Sequence, residues 1–262
     1  MKQYNIKVLE KALKILDLFS QKGKELSATQ IHQLLNLNKS TVFRILRILE
    51  ESNYLERSPK SLKYRLGFKL YHLGSLVEGF TEIQKMAHPL LDEMLQKCDE
   101  TVHFAILSHG EALFLDKIEG KKALRVVSHI GMTRPAHCSG VGKAMLAFLP
   151  DRDLEKIVEE RGLGRITNNT ITDKKILRAE LVRVRRQGYA IDNEETLVGA
   201  RCVAAAIRDS NGVVVAAISI SAPKERLNQG EMRRMIPLVK ETAEKISTVL
   251  REKGFTKEAL YH

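Results

Sequence analysis

Residues 26–51 carry the pattern of two short helices joined by a tight polar turn, which predicts a helix-turn-helix. Ser27 and Gln30 form a capping-box pair, so we expect the first helix to begin at Ala28. Asn38 is a favourable N-cap residue for the second helix. Apolar residues recur along the second helix at helical spacing and predict one buried face, made of Val42, Ile45, Leu46 and Leu49.

The opposite face of the second helix is polar and basic. It carries Lys39, Ser40, Thr41, Phe43, Arg44 and Arg47. Cations and hydroxyl groups at the start of such a helix suit docking into the major groove of DNA, where that end meets base edges and phosphates. An ordinary pair of packed helices with a solvated face is the alternative.

The residues after the second helix predict a wing. Residues 53–57 and 63–66 favour two short strands, with a turn at 58–61. We expect the basic side chains of this hairpin to lie along phosphates or enter a minor groove, namely Lys60, Lys63 and Arg65. The alternative is a surface hairpin whose cations bind nothing. Upstream, apolar residues at helical spacing over 8–19 predict a third helix that packs against the pair.

The positive charge is concentrated in the same part of the chain. Residues 1–80 hold 14 Lys plus Arg against 7 Asp plus Glu, or +7, which leaves +4 of the total +11 for the other residues of the 262-residue chain. This distribution favours a nucleic-acid partner, and the predicted winged helix favours double-stranded DNA.

Cysteine usage and hydropathy bear on the compartment. The sequence has an odd number of cysteines, and they are widely spaced: Cys98, Cys138 and Cys202. The first residues lack the apolar core of a signal peptide. Together these features predict a protein of the reducing cytoplasm. No apolar run approaches the roughly 20 residues needed to span a bilayer, so we expect no membrane partner.

The rest of the chain predicts an α+β domain whose antiparallel sheet has helices on its faces. We expect residues 1–66 to form the winged helix, 67–80 a helical connector and 81–262 this second domain. Pro89 suggests that the helix around it is kinked or starts late. Hairpin turns are predicted at 108–111 and at the Asn-Gly pair 211–212. The predicted strands are 102–107, 112–118, 124–128, 202–207 and 213–221, and the predicted helices include 140–149, 154–160, 174–187 and 229–251.

Small residues open the helix predicted from residue 140. Ser139, Gly140 and Gly142 would let backbone N–H groups face a carboxylate or phosphate at the positive end of the helix dipole. The alternative is that these glycines only let the helix approach the sheet closely. The segment is not a P-loop, because the two glycines are two residues apart and Ala144 follows Lys143.

A second polar group of residues lies near the end of the chain. Ser219 and Ser221 are two apart on one predicted strand and therefore share a sheet face. The other polar residues of this group are Asp192, Asn193, Glu194, Glu195 and, on the neighbouring strand, Cys202. Hydroxyl groups on the concave face of a sheet, roofed by a helix N-terminus, could bind a small polar acid. Ordinary strand residues that face solvent are the alternative.

The sequence argues against an enzyme. Cys138 follows His137 directly, and neighbouring residues on a chain usually point apart, so the pair is no evidence for a nucleophile and its base. The histidines and cysteines include no Cys-x-x-Cys and no His pair at ligand spacing. We therefore expect no catalytic residue, no metal and no cofactor.

Three segments carry a resemblance to a known family. They are residues 40–46 in the second helix, 140–147, and 188–205, which runs from Gly-Tyr-Ala-Ile-Asp-Asn-Glu-Glu to Cys-Val-Ala-Ala. On these segments the chain resembles the IclR (isocitrate-lyase regulator) family of bacterial transcription factors, over about residues 5–253.

The resemblance implies an N-terminal winged helix-turn-helix and a C-terminal effector domain similar to the GAF fold, assembled as homodimers or tetramers on palindromic operators. It also implies that a small carboxylic, aromatic or sugar acid is the effector. The positions that match the family's effector pocket are Gly140, Val141, Asp192, Cys202, Ser219 and Ser221, and Arg134 could add a charge-assisted contact.

We therefore expect a ligand-responsive transcriptional regulator, acting as a repressor of a catabolic operon. The alternative is a metabolite-binding module or enzyme whose helix-turn-helix contacts another protein. A steep salt dependence of binding to duplex DNA distinguishes the two, because neutralisation of phosphates produces it.

Overall fold

The computed structural model describes residues 6–22 and 25–260. The chain divides after Val77 into two compact units, Met1–Val77 and Glu78–His262. Each unit has its own hydrophobic core among the described residues.

The first unit is a winged helix. Its elements are α1 (Lys7–Lys22), α2 (Ala28–Leu35), α3 (Lys39–Glu51), β1 (Leu55–Arg57), β2 (Tyr64–Leu66) and α4 (Phe68–Ser75). Both bonds of the predicted capping box are present: the Gln30 N–H donates to Ser27 Oγ at 3.2 Å, and the Ser27 N–H donates to Gln30 Oε1 at 2.9 Å. The four apolar residues predicted for the inner face of α3 are all buried. The turn before α3 is made by Asn36, which ends α2 in the left-handed conformation with φ 49°.

The wing is tied to the helix pair by backbone hydrogen bonds. β1 and β2 pair antiparallel with Leu55 opposite Leu66. Leu26, just before α2, forms an antiparallel bridge with Tyr64. The Tyr64 N–H donates to the Leu26 C=O at 2.8 Å, and the Leu26 N–H donates to the Tyr64 C=O at 3.0 Å. The hairpin therefore gains a partner on its second edge, which fixes it against the start of α2.

The second unit contains one antiparallel sheet of six strands in the order β5-β4-β3-β8-β7-β6. The strands are β3 (Thr101–Ser108), β4 (Glu111–Ile118), β5 (Thr133–Pro135), β6 (Ala190–Asn193), β7 (Ala200–Arg208) and β8 (Val214–Pro223). Every pairing is antiparallel, so this part of the predicted fold is confirmed. Adjacent polar and apolar positions fall on opposite faces, since Ser219 and Ser221 alternate with the fully buried Ile218 and Ile220.

Helices cover both faces of the sheet. They are α5 (Glu78–Cys98), α6 (Gly140–Leu146), α7 (Asp151–Arg161), α8 (Lys174–Gln187) and α9 (Gln229–Glu252), and a short 3₁₀ helix follows at Lys257–Leu260. One core lies between the sheet and α5 with α9, and the other between the sheet and α6 with α8. The predicted bounds of α8 are confirmed, and α9 ends one residue later than predicted.

Several predicted elements of the second unit are wrong in detail. Residues 124–128 do not form a strand, and the segment that pairs with the first residues of β4 is β5, where Ala112 lies opposite Arg134. α5 begins at Glu78 and continues through Pro89, so the predicted late start is wrong. α6 ends at Leu146 rather than at 149, since the next residues make only short-range turns before Pro150. The short strands β5 and β6 were not predicted.

The two predicted hairpins differ in their turns. The first is a two-residue turn with positive φ at His109 (48°) and Gly110 (78°), as the predicted turn requires. In the second, only Gly212 has positive φ (77°), and the Asp209 N–H donates to the Val213 C=O at 2.8 Å. That loop has three residues, one more than a two-residue Asn-Gly turn. The Asp209 carboxylate stabilises it by accepting hydrogen bonds from the Asn211 and Val213 N–H groups.

Candidate DNA-binding surface and ligand cavity

The outer face of α3 presents the polar and aromatic residues predicted to meet DNA. Lys39, Ser40, Phe43, Arg44 and Arg47 are exposed, and Thr41 is half-buried. Asn38 occupies the N-cap position, as predicted, but its side chain makes no capping hydrogen bond. The first N–H groups of α3 therefore remain available to an anion such as a phosphate.

The cations of this surface fall into two groups. Arg47 pairs with Glu51 one turn later (Nε to Oε1 2.8 Å), and Arg65 pairs with Glu56 across the wing (Nη2 to Oε2 2.8 Å). Within the described part of the chain, no ion pair engages Lys39, Arg44, Lys60 or Lys63. These four cations can approach phosphates or bases without first breaking an ion pair.

A cavity of the second unit lies between the start of α6, strands β3, β7 and β8, and the segments at 126–128 and 196–197. Its atom-free space, including the part open to solvent, is about 490 Å³. All seven residues predicted for the effector site line it: Arg134, Gly140, Val141, Asp192, Cys202, Ser219 and Ser221. Both serines are buried, so the solvent-facing alternative is wrong for them.

The start of α6 forms one wall of this cavity. Ser139 is the N-cap, and its Oγ accepts from the Gly142 N–H at 3.2 Å. A Cβ at Gly140 would overlap Cys202 Sγ, and one at Gly142 would overlap the Ala136 backbone. Gly140 therefore lets the helix approach strand β7 closely, which places the first residues of α6 at the cavity, and Gly142 lets the preceding turn fold back onto the helix.

Two arginines line the cavity: Arg201 donates from Nε to Asn193 Oδ1 at 2.7 Å, whereas Arg134 has no such bond. The Arg134 guanidinium makes no ion pair or hydrogen bond to any other residue that the structure describes, although the side chain is half-buried. The Ser219 hydroxyl, on the cavity side of β8, also has no hydrogen-bond partner among these residues. An unpaired cation and an unpaired hydroxyl at one cavity suit an anionic, oxygen-rich ligand.

His103 was missed by the sequence analysis. It is buried at the cavity, with Nε2 2.7 Å from Ser128 Oγ and Nδ1 3.3 Å from Ser221 Oγ, and its ring stacks on Phe114 at 4.7 Å. Burial, together with the charges of Lys117 and Arg134, lowers the pKa of His103 to about 3. The imidazole is therefore neutral. The sequence does contain a sign of this residue, because His103 is the one histidine within an otherwise apolar predicted strand, 102–107.

Asp192 is committed to its own turn. Its Oδ1 accepts from the Glu195 N–H at 2.7 Å, and its Oδ2 accepts from the Thr196 hydroxyl. Burial raises the pKa of Asp192, against the hydrogen bonds that lower it. The carboxyl group thus shapes the cavity wall, and a variant at this position would change the turn as well as any ligand contact.

Cys202, which lines the cavity, and Cys138, which does not, both have thiols held in the protonated form near neutral pH. Burial raises the pKa of Cys202 to about 12, and burial with the nearby Asp192 and Glu195 does the same for Cys138. His137, beside Cys138, bonds instead to the carbonyl of Gly164 at 3.1 Å. Residues 6–22 and 25–260 contain no group of three or more His, Cys, Asp or Glu side chains that could hold a metal ion.

A buried ion pair behind the cavity was also missed. Lys143 of α6 is 1% exposed, and its Nζ bonds to Glu195 Oε1 and lies 3.8 Å from Glu180 Oε1. Glu195 Oε2 is buried without a hydrogen-bond partner among the described residues. Burial outweighs the attraction of Lys143 and raises the pKa of Glu195 to about 7. The pair joins α6 to the turn that carries Asp192.

Two family models match this chain. The model for the helix-turn-helix domain of IclR proteins matches residues 8–59, and the model for the C-terminal domain of bacterial IclR regulators matches residues 78–248. The chain belongs to the IclR family of bacterial transcriptional regulators. It is thus a DNA-binding regulator rather than an enzyme, as the sequence predicted.

Curated relatives agree with this assignment. The chain is 36% identical over 227 residues to the transcriptional regulator XynR of Escherichia coli K12, covering 87% of this chain and 90% of XynR. It is 36% identical over 248 residues to the transcriptional repressor AllR of Salmonella typhi, covering 95% and 91%.

Solved structures show the same fold over both units. IclR of Thermotoga maritima is 32% identical with a TM-score of 0.73, covering 94% of this chain and all of that one. An IclR homologue of Microbacterium hydrocarbonoxydans, solved with 4-hydroxybenzoate, is 28% identical with a TM-score of 0.78, covering 94% and 99%. In the part of this chain that the structure describes, no helix has the length and apolar character needed to cross a membrane.

Proposed function

We propose that this IclR-family protein is a repressor of a catabolic operon that binds a small organic or sugar acid in the cavity of its second unit. The unpaired guanidinium of Arg134 at that cavity carries the proposal. In this arrangement Arg134 and the N–H groups of Gly140 and Val141 hold the carboxylate, and Ser219 and Ser221 bond to its other oxygens. The regulator acts in the bacterial cytoplasm, and residues 67–80 connect the two functional parts.

Two relatives support the finer points. AllR is named a repressor, and the Microbacterium homologue was solved with an aromatic acid. The cavity chemistry agrees with an acid, because an unpaired cation lines it and its carboxylate, Asp192, already accepts hydrogen bonds from its own turn.

The effector site is tested with Arg134→Gln. We expect a thermal-shift screen of small organic and sugar acids, 4-hydroxybenzoate included, to find at least one that stabilises the wild-type protein. Arg134→Gln should weaken binding of that acid about tenfold or more, since a charge-assisted contact is lost. Arg152→Gln, an exposed arginine of α7, is the matched control. Equal affinities in all three proteins would place the effector elsewhere.

Repression is tested through coupling. An effector that changes operator affinity must have its own affinity changed by the operator by the same factor, typically 5–150-fold. A gel-shift titration measures how the effector changes operator affinity, and calorimetry measures how the operator changes effector affinity. An acid that binds the cavity and leaves operator affinity unchanged would contradict the regulatory role.

The two parts of the DNA surface should contribute differently. We expect Arg44→Ala to cost about 1–3 kcal/mol of discrimination between operator and random duplex, because an arginine without an ion pair on the recognition helix is suited to a guanine edge. Lys63→Ala should weaken binding to both duplexes alike. It should also reduce by about one the slope of the logarithm of affinity against the logarithm of salt concentration. Fluorescence anisotropy at several salt concentrations checks both variants. Equal losses on both duplexes for Arg44→Ala would contradict base contact.

We also infer a homodimer or tetramer on a palindromic operator. One recognition helix contacts only a few base pairs, and two related by a dyad contact half-sites about one helical turn apart. Leu9 and Leu13, each 53% exposed on α1, form an apolar strip that we expect a second copy to cover. Sedimentation velocity and footprinting test this, and a monomer that protects a single unrepeated site would refute it.

A further inference from the structure

Phe43 is an exposed aromatic residue at the centre of the recognition surface. It is 53% exposed, and the core under α3 is filled by the four buried residues of the opposite face. Its ring therefore is not needed to hold α3 in place. An isolated exposed apolar residue is common on protein surfaces, so its neighbours must decide what it does.

Those neighbours are cations at helical spacing. Lys39 lies one turn before Phe43 and Arg47 one turn after it, and all three are exposed on one stripe of α3. Phe43 is the fifth residue of the helix, within the N-terminal half that meets base edges in a major groove. Lys39, which has no ion pair among the described residues, can bind a phosphate on one side of the ring and hold the ring close to the floor of the groove. Arg47, on the other side, has to leave Glu51 before it can do the same.

Among the groups that base pairs present in the major groove, the apolar one is the 5-methyl of thymine. We infer that Phe43 is a specificity-determining residue that packs on a thymine methyl in each half-site of the operator. The inference rests on the proposed binding of this surface to a palindromic operator. Because Arg44 is adjacent and has no ion pair, we place a guanine contact within a base step or two of that thymine.

The test is a cycle between protein and DNA. The full-length protein selects its operator from a random duplex library, and each thymine of one half-site is then replaced by deoxyuridine, which lacks only the methyl group. We expect at least one replacement to weaken binding about fourfold, the value of one buried methyl. In Phe43→Ala the same replacement should change affinity by less than about 1.5-fold.

Matched variants separate this contact from general effects. Ile48→Ala alters an apolar residue on the same helix that is 60% exposed but lies nearer its C-terminus, and it should keep the full deoxyuridine effect. Phe43→Leu keeps an apolar side chain and should therefore keep part of the deoxyuridine effect. Circular dichroism is expected to be unchanged in each variant, because both positions are exposed.

The outcomes distinguish the two proposals. If the library yields no enriched sequence, sequence-specific binding fails and the thymine contact fails with it. If an operator is enriched but no deoxyuridine replacement matters, or if the effect persists in Phe43→Ala, the thymine contact alone is overturned.

Discussion

Replacing Lys143 with methionine is expected to lower the free energy of unfolding of the second unit by about 3–5 kcal/mol at pH 8. Lys143 is 1% exposed and bonds to Glu195, which is itself buried. Removing one partner of a buried pair leaves the other charge without compensation, and this cost exceeds what the intact pair contributes. Urea denaturation followed by circular dichroism, with hydrogen exchange to assign the transition, measures the change.

Two further variants identify the cause. Lys143→Met combined with Glu195→Leu should recover most of the loss, because both charges are then absent. Lys245→Met removes a pair in which both side chains are more than half exposed, and it should cost at most about 0.5 kcal/mol.

The cost of Lys143→Met should also depend on pH. The pKa of Glu195 is raised to about 7 in the wild-type protein, and loss of Lys143 removes a charge that lowers it. At pH 5 the carboxyl group is therefore protonated in the wild-type protein and in the variant, and an uncompensated carboxylate no longer contributes to the difference between them. A cost as large at pH 5 as at pH 8 would show that lost packing, rather than an unpaired carboxylate, is responsible.

Acidification should destabilise the second unit through His103 by about 3 kcal/mol at pH 4.5. The pKa of this buried imidazole is lowered to about 3 in the folded state, and an unfolded histidine has a pKa near 6.5. Unfolding therefore takes up a proton below pH 6.5. The stabilisation is fully present above pH 6.5 and is lost as the pH falls toward 3, at about 1.4 kcal/mol per pH unit.

His103→Gln should flatten this dependence between pH 6.5 and pH 4.5, because glutamine does not titrate. His88 gives the opposite control, since its hydrogen bond to Asp116 raises the pKa of the imidazole. A raised pKa stabilises the fold at low pH, and this contribution is lost as the pH rises through the folded pKa. His88→Gln should therefore make the loss on acidification larger. An unchanged pH profile for His103→Gln would refute a neutral buried imidazole.

Local patterns in the amino-acid sequence determined much of this fold. The capping box at Ser27 and Gln30, the bounds of α8 and the shared face of Ser219 and Ser221 all depend on residues within a few positions of one another. Helical spacing and strand alternation are encoded at that range. The resemblance to the IclR family added the list of residues that the structure brings to one cavity.

Tertiary structure decided the groups whose chemistry depends on distant neighbours. His103 contacts Ser221, 118 positions along the chain, and Lys143 contacts Glu195, 52 positions away. Residues 124–128 were predicted as a strand, but the segment that pairs with the edge of β4 is Thr133–Pro135. Burial, which lowers the pKa of one group and raises that of another, exists only once these segments pack together. Arg134 likewise has no ion-pair partner among the described residues because of which side chains pack around it, and no pattern of residues next to it in the sequence predicts this.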